Sequence, residues 1–123
     1  MKKLIVTVFI AILVFFCSEV LQAVDTGKII AYPVPFNPRK GDRVLTIEHK
    51  SGLTNYRVKV EIFDINGDLV FKRKFSILPA HWNGHNDRGN LVKPGLYIMM
   101  LDIEGTLTDH SQGKKMIRIL VNY

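Results

Sequence analysis

Hydrophobic and polar residues alternate in short runs along most of this chain. Tyr56 to Asp64 is the clearest run: Val58, Val60 and Ile62 alternate with Arg57, Lys59 and Glu61. That period of two is the signature of a strand with one buried and one wet face. Arg43 to His49 repeats it, with Leu45 and Ile47 opposite Thr46 and Glu48. Gly95 to Glu104 sets Tyr97, Met99, Leu101 and Ile103 on one side, and Lys114 to Tyr123 does the same with Ile117, Ile119 and Val121. Lys28 to Tyr32 reads as a short first strand and Pro79 to Asn83 as a short edge strand. Between Asp68 and Ile77, Leu69, Phe71 and Phe75 share an apolar face. Arg73 interrupts that face, so it either snorkels at a rim or lies past a bulge. No stretch after residue 23 carries a sustained helical stripe.

The segments between these runs are built from turn residues. Asn66-Gly67 predicts a hairpin with a type I′ turn, which needs positive φ at both central positions. Pro33, Pro35 and Pro38 fix φ and remove donors through Tyr32 to Pro38, which predicts an extended crossing rather than a strand. His81 to Tyr97 reads HWNGHNDRGNLVKPGLY, too polar and too rich in glycine and asparagine for helix or core. It predicts a long shaped turn between strands, with Gly89 and Gly95 supplying backbone that branched residues avoid. Trp82 is expected to cover one end of the core. The pattern predicts an all-β fold, an immunoglobulin-like β-sandwich of about seven antiparallel strands.

The first residues have a different character. Lys2 and Lys3 precede an apolar run from Leu4 to Phe16, followed by a more polar exit ending Leu21-Gln22-Ala23. This order is that of a secretory signal, and the run falls short of the roughly 20 apolar residues of a membrane span. The expected organisation is a signal peptide over 1–23 and a β-sandwich domain over 24–123, with no transmembrane anchor after cleavage. Cys17 is the single cysteine of the 123 residues. Phe16 just before it argues against lipid attachment, which favours a small residue there. The domain itself has no cysteine, so its stability rests on core and sheet rather than disulfides.

Of 17 basic and 11 acidic side chains, the signal carries Lys2, Lys3 and Glu19, which leaves the domain with a net charge near +5. An exported basic domain meets acidic proteins, anionic glycans or lipid headgroups; nucleic acid is not an expected partner. Candidate chemistry is sparse. His81 and His85 lie four apart with Asp87 and His110 in the same chain, but without the H-E-x-x-H helix of zinc enzymes. Calcium would need more carboxylates than Asp87 provides between Asn83 and Asn90. There is no G-x-S-x-G elbow, paired-carboxylate motif or phosphate loop. No catalytic residues, metal or cofactor are expected, and the chain is not expected to be an enzyme. Lys72 and Lys74 share the wet face of their strand. With Trp82 and His85 they form the expected interaction surface.

Four segments, in order, resemble one family. Tyr32-Pro33-Val34-Pro35-Phe36-Asn37-Pro38 is similar to its "YPNPFNP" opening. Val60 to Gly67 is similar to its "V-x-I-Y-D-x-x-G" hairpin. Trp82-Asn83-Gly84 through Gly89, Val92, Pro94-Gly95 and Tyr97 resembles its "W-D-G-R-D-x-x-G-x-x-V-x-x-G-x-Y" turn, and Lys114-Lys115-Met116-Ile117 its closing strand. These are the marks of the immunoglobulin-like domain named after the flagellar hook-capping protein FlgD, shared with the C-terminal sorting domains of type IX secretion cargo. Asn83 and Asn86 stand where the family has aspartates, His85 where it has a basic residue and Val34 where it often has asparagine. The resemblance implies a fold-determining role for Pro33, Pro35, Phe36, Asn37, Pro38, Asn66, Gly67, Trp82, Gly84, Gly89, Pro94, Gly95 and Tyr97.

The function expected is an exported, non-catalytic structural or protein-interaction module of the bacterial cell envelope, in the periplasm, on the outer surface or secreted. The alternatives are a type IX sorting domain, alone or as a fragment, and a small polysaccharide-binding module using exposed faces of Tyr56, Trp82 or Tyr97.

Overall fold

The computed structural model describes residues 26–40, 44–105 and 112–123. The expected signal peptide, its cleavage after Ala23, Cys17 and His110 lie outside the described residues. A 3-10 turn over Thr26–Lys28 leads into seven strands: β1 (Ile29–Tyr32), β2 (Leu45–His49), β3 (Tyr56–Phe63), β4 (Leu69–Phe75), β5 (Ala80–Trp82), β6 (Gly95–Gly105) and β7 (Gln112–Val121). The three-stranded sheet has the order β1-β2-β5, the four-stranded sheet β4-β3-β6-β7, and all neighbours are antiparallel. This partition is that of an immunoglobulin-like sandwich, strands A, B and E facing C′, C, F and G.

The alternation seen in the sequence is what fills the space between the sheets. Leu45, Ile47, Val58, Val60, Ile62, Met99, Leu101, Ile103 and Ile119 are essentially inaccessible. They come from both sheets and interdigitate as the inner faces of a sandwich do. His49 continues the parity of Leu45 and Ile47 and is also buried. Its Nδ1 accepts the Ser51 N–H at 3.1 Å, and its ring stacks on Tyr56 with centroids 5.9 Å apart.

The β3–β4 hairpin departs from the expected geometry. Gly67 N–H donates to the Asp64 carbonyl at 3.1 Å, and Asp64 N–H donates to the Asp68 carbonyl at 3.0 Å. The central turn residues are therefore Ile65 and Asn66, with Gly67 at φ 85° closing a three-residue loop. The Asp64 carboxylate takes up the Asn66 and Asp68 N–H groups at 2.9 and 3.0 Å, which favours the longer loop over a two-residue type I′ turn. A second departure follows at once. The register slips between Ile62/Phe71 and Phe63/Leu69, leaving Val70 as the extra residue of a bulge. Leu69 consequently turns outward beside Phe63, while Val70 packs against the core.

The proline segment after β1 does not run straight. It bends at Val34 and Pro35 and delivers Phe36, fully buried, to the end of β7. Phe36 N–H donates to the Leu120 carbonyl at 2.7 Å, and Asn122 N–H to the Phe36 carbonyl at 3.0 Å. The crossing thus fastens the chain leaving the small sheet to the edge of the large one. Lys115 adds a tie on the same side: its ammonium donates to the Ile29 carbonyl at 2.6 Å.

Candidate interaction surfaces

The segment His81 to Tyr97 is organised around Trp82, which is 1% exposed. Its ring lies 5.9 Å from Phe36 and 6.1 Å from Phe71, tilted to both, and 6.2 Å from Tyr97 in an edge-on arrangement. Tilted and edge-on pairs suit the aromatic quadrupole. The indole N–H donates to the His85 carbonyl at 2.9 Å, so the buried donor is satisfied. Trp82 is a core residue, and its expected place on an accessible surface with Lys72, Lys74 and His85 is overturned. Tyr97 is likewise buried, and its hydroxyl donates to the Lys93 carbonyl at 2.6 Å, in the manner of a tyrosine corner. Tyr56 is half-buried against His49. The exposed aromatic platform that a glycan module needs is therefore missing at these three positions.

The loop beyond Trp82 folds on its own side chains. Asn83 Oδ1 accepts the His85 N–H at 3.0 Å, and Asn86 Oδ1 accepts those of Arg88 and Asn90 at 3.0 and 2.9 Å. These Asx contacts need an oxygen acceptor, which asparagine provides as well as the aspartate of the family pattern. Gly84 has φ 78°, and a Cβ there would sit 2.8 Å from Cβ of Pro38. The proline motif and the tryptophan motif, far apart in sequence, thus touch at this glycine.

Asp87 ties the loop to the edge of the four-stranded sheet. Its N–H donates to the Val70 carbonyl at 3.0 Å, and its carboxylate accepts the Lys72 N–H at 3.2 Å. Two open ladder groups of β4 are satisfied this way, and Asp87 has a structural task rather than a ligand's. His81 Nδ1 lies 3.3 Å from Thr46 Oγ1, and His85 Nδ1–H donates to the Asn83 carbonyl at 3.0 Å. The two imidazoles have separate partners. Among the described residues no three His, Cys, Asp or Glu side chains converge as a metal site would require.

Lys72 and Lys74 project from the outer face of β4, next to Glu61 and Lys59 of β3, as the strand parity implies. Arg73 points the other way and lies 5.2 Å over the Phe71 ring, a snorkelling geometry. With Val44, His81, Asn83 and His85 it borders a shallow polar groove along the β4–β5 side. His85 thus belongs to that side, around the edge from Lys72 and Lys74. Sequence reading missed two contacts: the Lys115 tie to β1, and the Asp87 clamp on β4. Neither has a local pattern, because each depends on a partner strand remote in sequence.

No protein-family model matches this chain, and no curated protein matches it. Among solved structures the chain is similar to PorZ, described as an essential bacterial surface component of the type IX secretion system of Porphyromonas gingivalis. The identity is 26% and the TM-score 0.56, over 82% of this chain and 12% of PorZ. Dimeric latent PorU of the same organism is 17% identical with a TM-score of 0.49, over 76% of this chain and 9% of PorU. The chain spans a small part of either protein, and what it resembles is an immunoglobulin-like β-sandwich within a much longer chain.

Proposed function

We propose that this chain is an exported, non-catalytic protein-interaction module of the cell envelope that works within type IX secretion. The observation that carries the reading is the likeness to PorZ, with 26% identity over most of the chain. The ordered motifs shared with FlgD-type domains and type IX sorting domains support it independently. The finer reading is that of a sorting module, an address recognised by the secretion machinery. The two most diagnostic motif residues, Phe36 and Trp82, are spent on core and on joining the sheets. Recognition then rests on strand edges, loops and the outer sheet face rather than on a pocket. Burial of Trp82 and Tyr97 weighs against the polysaccharide reading.

The test is a reporter inserted between residues 23 and 24, which keeps both the signal and the domain. In a bacterium with an intact type IX system the reporter is expected on the surface or in the medium. In a strain lacking the system it is expected to stay in the periplasm. Equal distribution in the two strains would sink the reading.

A further inference from the structure

The outer face of the four-stranded sheet is divided into two halves. Strand register sets its side chains in rows. One row runs Leu69, Phe63, Ile98 and ends at Arg118; Leu96 pairs with Leu120 on one side of it, and on the other the row runs Lys72, Glu61, Met100 and Met116, apolar toward β7 and charged toward β4. Leu69, Leu96 and Leu120 are 47%, 42% and 41% exposed, Met100 and Met116 38% and 56%, and Ile65 in the adjoining turn 73%. Toward the other end of the same face the rows turn charged, with Lys59, Lys74, Asp102 and Lys114 followed by Arg57 and Glu104.

Together the exposed apolar side chains present on the order of 500 Å², at the upper end of the largest patch a monomer ordinarily shows. A homodimer interface of standard size removes about 800 Å² from each partner, roughly 65% of it apolar. The patch is therefore about as large as the apolar part of one such interface. Its charge layout also suits a self-complementary contact. A two-fold axis through the apolar half stacks Leu, Ile and Met of one copy on those of the other, and sends the two basic ends in opposite directions. The rows holding Lys59, Lys74, Asp102 and Lys114 in the two copies are thereby kept apart.

We infer that the apolar half of this sheet face, centred on Ile98, Met100 and Met116, docks a second copy of the chain, sheet on sheet about a two-fold axis. This contact is independent of the secretion reading. Sedimentation velocity on the full chain, purified after export by its host, tests it over roughly 1 to 100 μM, where a contact of this size is measurable. The wild-type chain is expected to pass from monomer to dimer in that range. Met116→Lys at the centre of the contact and Leu96→Lys in its flanking apolar row are each expected to weaken the dimer at least about tenfold, since each sets a charge against apolar side chains. Lys74→Glu, on the charged half of the same face, is expected to leave it unchanged. Circular dichroism and thermal melts check that each variant is folded. A wild-type chain that stays monomeric throughout overturns the inference. So does a dimer indifferent to both Met116→Lys and Leu96→Lys in folded protein.

Discussion

Gly84 and Gly89 both hold left-handed backbone, yet they stand in different surroundings. A Cβ at Gly89 would meet open space, while one at Gly84 would press on the Pro38 ring and the edge of Phe36. Gly89→Ala is expected to lower stability by about 1 kcal/mol through backbone conformation alone. Gly84→Ala is expected to lose about 2–4 kcal/mol, because the joint between the two motifs must also open. Urea unfolding of the pair measures the difference. Trp82→Ala is expected to lower stability by about 3–5 kcal/mol, with no loss of a binding surface. Tyr97 adds a pH dependence. Burial, then the Asp64 charge and the neighbouring Tyr123, raise its pKa above the ordinary 10.0. The folded chain holds this proton where the unfolded chain has released it. Its contribution is therefore complete below pH 10 and declines as pH rises beyond that. Tyr97→Phe is expected to lose about 1 kcal/mol near neutrality with the hydrogen bond to Lys93, and to unfold with a shallower alkaline decline. Chemical unfolding at neutral pH and at about pH 11 gives both results; an unchanged alkaline slope contradicts the assignment.

Strands were legible wherever one face is wet, because the core itself imposes period two. Val58, Val60 and Ile62 face in as the alternation implies, and parity alone would have placed His49 beside Leu45 and Ile47. What alternation does not encode is a change of phase. The Val70 bulge turned Leu69 outward against the expected shared face with Phe71, and the Asp64 carboxylate lengthened the hairpin turn by one residue. Trp82 covers one end of the core as expected, but it leaves no face for the interaction surface also expected of it. Its depth is decided by Phe36 and Tyr97, which arrive from other elements. The Asp87 clamp belongs to this scale too. Asp87→Ala is expected to cost about 1–2 kcal/mol by freeing the loop from β4. It should also speed amide hydrogen exchange at Lys72 while leaving that of Ile62 in β3 close to the global rate. Unaltered exchange at Lys72 would contradict the clamp.

For the molecule as a whole, the sequence foretold the two-sheet fold, and the likeness to PorZ agrees with that fold and with a tie to type IX secretion. Function was less legible, because the most distinctive motif residues are those that build the sandwich: Phe36, Gly84, Trp82 and Tyr97. The surfaces left for partners, the outer sheet face and the groove beside His85, carry no motif. They emerge only when the strands are laid in register. Secretion of the reporter and self-association of the chain are accordingly predictions of the assembled molecule, testable one without the other. Asp87 has a consequence at this scale as well. Edges propagate and faces terminate: an open β4 would let one sandwich add strands to the next without end, whereas a two-fold contact between faces is saturated after a single pairing. By occupying two open groups of β4, Asp87 obstructs strand addition at that edge and so disfavours filaments.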